Sequence, residues 1–438
     1  MALSFLMVTA GIMAFEMMFI PARQNLQVGE ELPINNALPG LLANNLSWHV
    51  EGKWPGRLNG PGARLVAATP GKLRLQLRLF DIITLRQLIV NVLPSVKVIP
   101  GGQSIGVLLH AQGVIVVGQA PVIDQDGNKV NPSEQAGIHQ GDIILSINGR
   151  PVAGDRYTRE EIDRLGSTGE SIMLEVKHGD RVFKTRIEPI LCPDTGRYRI
   201  GLFIRDSAAG VGTLTFYHPE TRCYGALGHL ITDATTSRRI DLADGRIVAA
   251  TVKGIHRGQK GRPGEKLGQF SANNYLSGNI EKNSLYGIFG HLNHPPGGGY
   301  YSRPIPLALG HQVKRGPAEI LTVLHDNKVE QFRIEIQEVM PQGRQEGKGM
   351  VIKITDPRLL NLTGGIIQGM SGSPIIQAGK LVGAVTHVFI NDPSRGYGVL
   401  AEWMLEETGI LSFFKIDVHA AEAAPAEDDH TRANVFSK

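Results

Sequence analysis

In 438 residues the chain has only two cysteines, Cys192 and Cys223, three tryptophans, and 6% aromatic residues. Two thiols exclude a disulfide framework and leave room for at most one bridge outside the cytoplasm, with two unpaired buried thiols an equal expectation; neither has a partner at metal-ligand spacing. Charge is also scarce: 20% of residues are charged and the formal net charge is +4. The basic residues are spread among acids, so no nucleic-acid footprint is present. The densest basic stretch, Lys253 to Lys266, contains glycines and reads as solvated surface. No His-Glu-x-x-His occurs, which excludes that class of metalloprotease. Neither a metal nor an organic cofactor is implied. What is plentiful is glycine, 53 residues, with 25 prolines. That points to turn-rich β structure rather than a helical bundle or disorder. The length suggests roughly two to four domains with a sizeable core.

Residues Ala2 to Pro21 form an apolar run of near-membrane length, interrupted only by Glu16. Residues 1–22 read as a signal anchor or signal peptide, although no Lys or Arg precedes the run, and export of the remainder is the expectation. Within 23–96, Leu73 to Phe80 alternates strictly between apolar and polar, the period of a strand, and a small β-rich module is expected whose role the sequence does not give. The polar, Ala-rich tail 416–438 reads as disordered.

From 97 to 190 a Gly-rich stretch, Gly101 to Val107, leads into strand patterns at Val107–Leu109 and Gly113–Val117. Ala136-Gly137-Ile138-His139-Gln140-Gly141-Asp142-Ile143-Ile144 comes next, continuing to Ile147-Asn148-Gly149, with a helical stretch near Arg159–Leu165 and a strand at Ser171–Lys177. This order resembles a PDZ domain. The resemblance implies that a peptide adds as an extra strand to a sheet edge and that Ser104, Ile105, Gly106 and Val107 form its carboxylate loop. A generic hairpin with a polar turn is the blander reading.

From 191 to 415 short strand patterns dominate, such as Gly210–Phe216, Ile247–Val252 and Gln331–Ile336, which suits two packed β-barrels. Within them lies Gly369-Met370-Ser371-Gly372-Ser373-Pro374, a small-residue loop between apolar strands. Such a bend can hold Ser371 exposed while the amides of Gly369 and Ser371 face a developing oxyanion. A plain Gly/Ser turn is commoner by itself. Upstream, Gly225-Ala226-Leu227-Gly228-His229 offers the neutral imidazole that a serine needs as base. His387, on the strand after the serine loop, is a weaker rival because that position suits contact with substrate backbone. A carboxylate should orient the imidazole. Asp356, Asp233, Asp241 and Asp244 are all placed to supply one, and the residues alone leave the choice open. Met370 stands where trypsin-like enzymes carry an aspartate, so activation by an ion pair to a new N-terminus is excluded. Gly365, six residues before the serine, predicts no charged selection of substrate.

The apolar run, the PDZ-like segment, the histidine segment and the serine loop together resemble the stage IV sporulation protein B serine peptidase family, from about Leu73 to Phe414. The resemblance implies a mainly β chain with a trypsin-like double β-barrel and a triad on His229, Asp356 and Ser371, which is the reason to prefer Asp356. It further implies self-cleavage and cleavage of a membrane-bound regulator that holds an intramembrane metalloprotease inactive, in the space between the forespore membranes, so that a pro-sigma factor is processed. The partners implied are protein substrates, the chain itself, a PDZ peptide ligand and the membrane. The competing class is a PDZ scaffold or regulator with an inactive protease-like domain.

Overall fold

The computed structural model describes residues 23–33, 46–51, 57–58, 64–66, 70–270, 276–341 and 346–413. The apolar run 1–22 and the tail 416–438 lie outside them. Among the described residues no helix is long and apolar enough to cross a membrane.

The alternating segment forms strand Gly71–Leu79, which turns at Phe80 and Asp81, both at positive φ, into strand Ile83–Leu93. Strands Arg23–Gln27, Leu46–Glu51 and Arg57–Leu58 complete a five-stranded sheet. Its inward face packs Leu26, Trp48, Leu75, Leu77, Val90 and Val92 into a core of its own. This module docks through polar contacts. Asn25 Nδ2 donates to Glu402 at 2.5 Å and to Glu406 at 3.0 Å, and Gln27 Nε2 to the Leu307 carbonyl at 2.8 Å.

Two antiparallel strands of 16 residues organise the rest of the molecule: the first long strand, Ser104–Gln119, and the second, Leu202–Tyr217. They pair from Gln119↔Leu202 to Ser104↔Thr213, with register shifts at Phe203/Ile204 and Arg205/Ser207. Such bulges bend a ribbon, and here the bend separates two environments. On one side, Ile115 and Val114 pair with Ile143 and Ile144, and the sheet continues through strands Ile172–His178 and Arg181–Ile187. The helix Asp155–Gly166 belongs to this unit. Thr158, Ile162 and Leu165, at helical spacing, are its buried stripe, and Arg156–Glu160 and Asp155–Arg159 pairs one turn apart support its outer face. This is the PDZ unit. On the other side, Ile105 to Ala111 pair with strand Leu242–His256, and Leu214 to Tyr217 with strand Cys223–Ala226. These strands make the first half of the segment that the sequence leads one to expect as the protease. Gly113, at φ +89, stands at the crossing, where a Cβ would come within 2.4 Å of the Ile144 carbonyl oxygen.

The strand pairing therefore differs from a division at residues 97 and 191. The front of the first long strand belongs to the protease half, and the PDZ unit runs on to the start of the second long strand. The cause is strand length: a ribbon of this reach, about 50 Å at 3.3 Å per residue, spans both sheets.

The second protease half is a closed six-stranded barrel of Gly316–Val323, Val329–Val339, Met350–Ile354, Pro374–Gln377, Lys380–Phe389 and Asp392–Leu400. Phe332, Ile334, Ile352, Ile375 and Leu381 fill it, and the helix Ala401–Glu407 adds Trp403 and Met404. Truncating Phe332 to alanine in so closed a core would cost about 3–5 kcal/mol. Of the two barrels the sequence implies, this one closes through continuous strand pairing. The first half comes round as well: strand Ser277–Asn279 pairs with Leu242–His256 on one side and meets the end of strand Gly287–His291 on the other, through the Gly278–Leu292 bridge and the bond from the Asn293 amide to the Ser277 carbonyl at 2.9 Å, around a core of Ile105, Val107, Tyr224, Ile247 and Ile288.

Candidate active site

Ser371 lies where the two protease halves meet. After the helix Pro357–Thr363 ends on Gly364 in the left-handed conformation, the chain reaches the serine loop, and fully buried Met370 anchors it in the barrel core. The second long strand holds this loop from the opposite half. Thr213 N–H donates to the Ser371 carbonyl at 2.9 Å, Thr213 Oγ1 to that of Gly369 at 2.8 Å, and Thr215 Oγ1 to that of Gly372 at 2.8 Å. Gly372, at φ +91, has no space for a side chain, since a Cβ would sit 2.1 Å from the Thr213 carbonyl oxygen. With the loop carbonyls committed, the amides of Gly369 and Ser371 are left without a partner among the described residues. The Ser371 hydroxyl donates to the Thr386 carbonyl at 2.9 Å rather than to an imidazole.

His229 comes after strand Cys223–Ala226 through Leu227 and Gly228, both at positive φ. Its Nδ1 lies 2.9 Å from the Leu230 carbonyl oxygen. A carbonyl only accepts, so Nδ1 carries the hydrogen and Nε2 keeps its lone pair, the tautomer a general base requires. Burial pulls the imidazole below its ordinary value, and the Leu230 bond opposes this in part. The ring of His387 stands 5.0 Å away. Burial, with smaller contributions from His229 and Lys348, lowers His387 to about 4, which keeps it neutral near pH 7. One positioning residue was not legible in the sequence. Buried Asn283 donates to the Ile231 carbonyl at 3.0 Å and accepts from the Ile231 amide at 2.9 Å, clamping the chain two residues beyond His229.

The expected third member is not there. Asp356 caps the helix Pro357–Thr363, where Oδ1 accepts from the amides of Arg358 and Leu359 and Oδ2 from that of Arg333. This corrects the assignment of Asp356 as the group beside His229: an N-cap carboxylate spends its lone pairs on the helix start. Asp233, buried four residues after His229, accepts from the amides of Thr235 and Thr236 and pairs with Arg205 at 3.0 Å. Asp241 pairs with Lys177 and Asp244 with His110. Among the described residues no carboxylate bonds to His229.

Ser371, His229, Gly369, Thr386 and His387 line one cleft of about 630 Å³, together with Arg205 and Ser207–Val211 of the second long strand. Lys266 packs its stem against Gly369, with Nζ buried and donating to Thr322 Oγ1 at 2.8 Å; desolvation lowers it to about 7. Gly365 admits no side chain, as a Cβ would lie 2.1 Å from the Pro393 carbonyl oxygen. Cys192 and Cys223 are unpaired. Of the described residues, His139, Asp142 and His178 form one trio with ligand atoms within 4.8 Å of one another. Asp142 there pairs with His178 at 2.6 Å and accepts from the His139 amide, which makes it the lock of a PDZ turn.

The peptide loop expected at Ser104–Val107 is also corrected. Ile105 pairs with Gly212 on one edge and Ala249 on the other, and Ser104 and Ile105 are buried, so no edge is open to an added strand. The PDZ unit has a different open edge. A groove of about 640 Å³ lies between helix residues Arg159, Ile162 and Asp163 and the chain from Arg197 to Arg205. At its start Gly201 sits at φ +76, followed by Leu202 and exposed Phe203. Ile200-Gly201-Leu202-Phe203 repeats the apolar-Gly-apolar-apolar pattern of Ile105-Gly106-Val107-Leu108. That second copy was the available signal.

Residues 196–405 match the family model SpoIVB peptidase S55, and residues 105–188 match a PDZ domain model. Among solved structures, the PDZ domain of the SdrC-like protein from Listeria monocytogenes is 26% identical over 21% of this chain and 87% of its own, with a TM-score of 0.16. The active form of the Rv3671c protease from M. tuberculosis is 15% identical over 45% of this chain and 72% of its own, with a TM-score of 0.25. The inactive form of Rv3671c protease is 16% identical over 44% and 81%, with a TM-score of 0.24.

Proposed function

The chain belongs to the SpoIVB peptidase S55 family of PDZ-containing serine peptidases, and on that premise we propose that Ser371 is its nucleophile, His229 the base, and the Gly369 and Ser371 amides the oxyanion donors. The observation that carries the assignment is the meeting of these groups in one cleft between the protease halves. In the reaction Ser371 Oγ turns from the Thr386 carbonyl, gives its proton to His229 Nε2 and bonds to the scissile carbonyl carbon. The carbonyl electron pair moves onto oxygen, where the two amides stabilise it. His229 then passes the proton to the leaving amine, and water repeats the cycle to free the acid. The Leu230 carbonyl, accepting from Nδ1–H, holds the ring in place of a carboxylate.

In cellular terms, the substrate is a membrane-bound regulatory protein whose cleavage releases an intramembrane metalloprotease onto a pro-sigma factor during endospore formation. The enzyme also cuts itself and acts in the space between the forespore membranes. The family membership supports this reading. The resting bond of Ser371 to Thr386 and the lack, among the described residues, of a carboxylate bonded to His229 favour the second reading, a PDZ scaffold with a silent protease half. A fluorophosphonate probe separates them. Labelling of the wild type that is lost in Ser371→Ala and His229→Ala is expected, whereas persistent labelling of Ser371→Ala, or none in folded wild type, sinks the assignment.

A further inference from the structure

The second long strand has one edge bonded to the first long strand and the other open. From Leu202 to Val211 nothing among the described residues pairs with that open edge; strand Cys223–Ala226 takes over only from Leu214. The open edge begins in the PDZ groove, where Leu202 to Arg205 face the helix Asp155–Gly166, and passes into the catalytic cleft through Arg205, which lines both spaces; after the bulge at Asp206, whose carboxylate accepts from the Asp155 amide at 3.1 Å, Ser207 to Val211 line the same space as Ser371. It ends two residues before Thr213, whose amide holds the Ser371 carbonyl. Side chains along its middle, Ser207, Ala208, Ala209 and Gly210, are small and leave the backbone accessible.

We infer that a substrate lies along this whole edge as one added antiparallel strand, its free C-terminal carboxylate held at Ile200–Leu202 and its scissile bond at Ser371, so that the enzyme cuts at a set distance from a C-terminus. Antiparallel pairing fixes the polarity: the carboxyl end of the peptide lies beside the start of the strand, and everything between it and Ser371 is downstream of the cut. The charge at that end suits a carboxylate. Arg197 and Arg199 border it with no carboxylate partner among the described residues, beside Asp163, which accepts from the Tyr198 amide, and Asp194; Arg159 is also there, paired with Asp155 at 3.0 Å. Exposed Phe203 offers an apolar contact for a ligand side chain. From Leu202 to Val211 the edge is about 30 Å at 3.3 Å per residue, so the released C-terminal fragment should be about ten residues long.

The inference rests on Ser371 as nucleophile, and the experiment keeps the two apart. Full-length protein is incubated with unstructured peptides of about thirty residues, each as free acid and as C-terminal amide, and cut sites are mapped by mass spectrometry. Cuts should leave C-terminal fragments of about ten residues, and three residues appended to the C-terminus should move the cut by three. Amidation should lower kcat/KM about tenfold or more, the loss of a hydrogen bond to a charged group. Cut sites that stay with the local sequence despite the extension, or equal cutting of acid and amide, would overturn the ruler while leaving the peptidase standing. In parallel, fluorescent twelve-residue and five-residue peptides are titrated onto Ser371→Ala, a readout that needs no catalysis. The twelve-residue acid should bind about tenfold tighter than its amide and than the five-residue acid. Equal affinities refute the continuous edge even if no cleavage is ever seen.

Discussion

Lys266 gives the sharpest test of how burial is balanced beside the serine loop. Its ammonium group is enclosed and meets one hydroxyl, that of Thr322. Desolvation moves it from 10.5 to about 7. A lysine held below its unfolded value disfavours the fold whenever the unfolded chain binds the extra proton. The penalty is therefore complete below about pH 7 and fades as pH rises toward 10.5, so wild-type stability should climb through that window. At 1.36 kcal/mol per pH unit, the penalty near neutrality is about 4 kcal/mol at most. Lys266→Met keeps the stem against Gly369 and removes the amine, at a cost of about 1 kcal/mol for the hydroxyl left behind. The variant should be more stable than wild type by about 1–3 kcal/mol at pH 7, and the two should converge near pH 10. Trp403, buried in the barrel, reports this half when Trp48 and Trp54 are changed to Phe in both proteins. Urea midpoints read from its fluorescence at pH 6, 7, 8 and 9.5 give the comparison. Equal midpoints at pH 7, or parallel pH profiles for the two proteins, would refute the reasoning.

The remaining predictions concern the catalytic segments. Because burial lowers His229 and the base must be neutral, the acid limb of kcat/KM should have its midpoint below 6.5; a midpoint above it contradicts the placement. Thr213→Val removes the tie to the Gly369 carbonyl and should slow fluorophosphonate labelling, though by less than the roughly hundredfold that losing an oxyanion donor costs. An unchanged rate would show that the tie is idle. Asp356→Asn retains a capping acceptor and should label like wild type, whereas Asp356→Ala should lose about 1 kcal/mol in thermal unfolding; a dead but folded Asp356→Asn would restore Asp356 to the chemistry. Asn283→Leu removes the bonds to the Ile231 amide and carbonyl and to the Ile240 carbonyl and should cost about 1–3 kcal/mol with a fall in kcat, and a stable, fully active variant argues against the clamp.

What was legible in the sequence was what local chemistry determines. Period-two alternation gave the strand at Gly71–Leu79, apolar spacing gave most of the helix Asp155–Gly166, and small residues around Ser371 and His229 marked bends that close packing requires. What was not legible depends on which edge of a strand is already taken. Ile105-Gly106 and Ile200-Gly201 look alike as text, and only pairing across the sheet shows that the first is enclosed on both sides. Asp356 does carry a local signal of its actual role, since Asp before Pro at a helix start is a capping signature. Asn283 carries none: a lone asparagine in a polar stretch acquires meaning only from the Ile231 backbone it meets.

The two long strands also say how the chain is assembled. His110 lies across from Ser207 in the ribbon, close enough for a tight turn to join them. The whole PDZ unit thus stands where a plain hairpin loop would be, entered and left through adjacent strands. It is an insertion into the protease rather than a bead on a linker, so both its ends are fixed and its sheet cannot tilt without carrying the ribbon with it. Replacing residues 111–206 with an Asn-Gly turn returns the ribbon to a simple hairpin. The protease half then keeps every strand that holds the Ser371 loop.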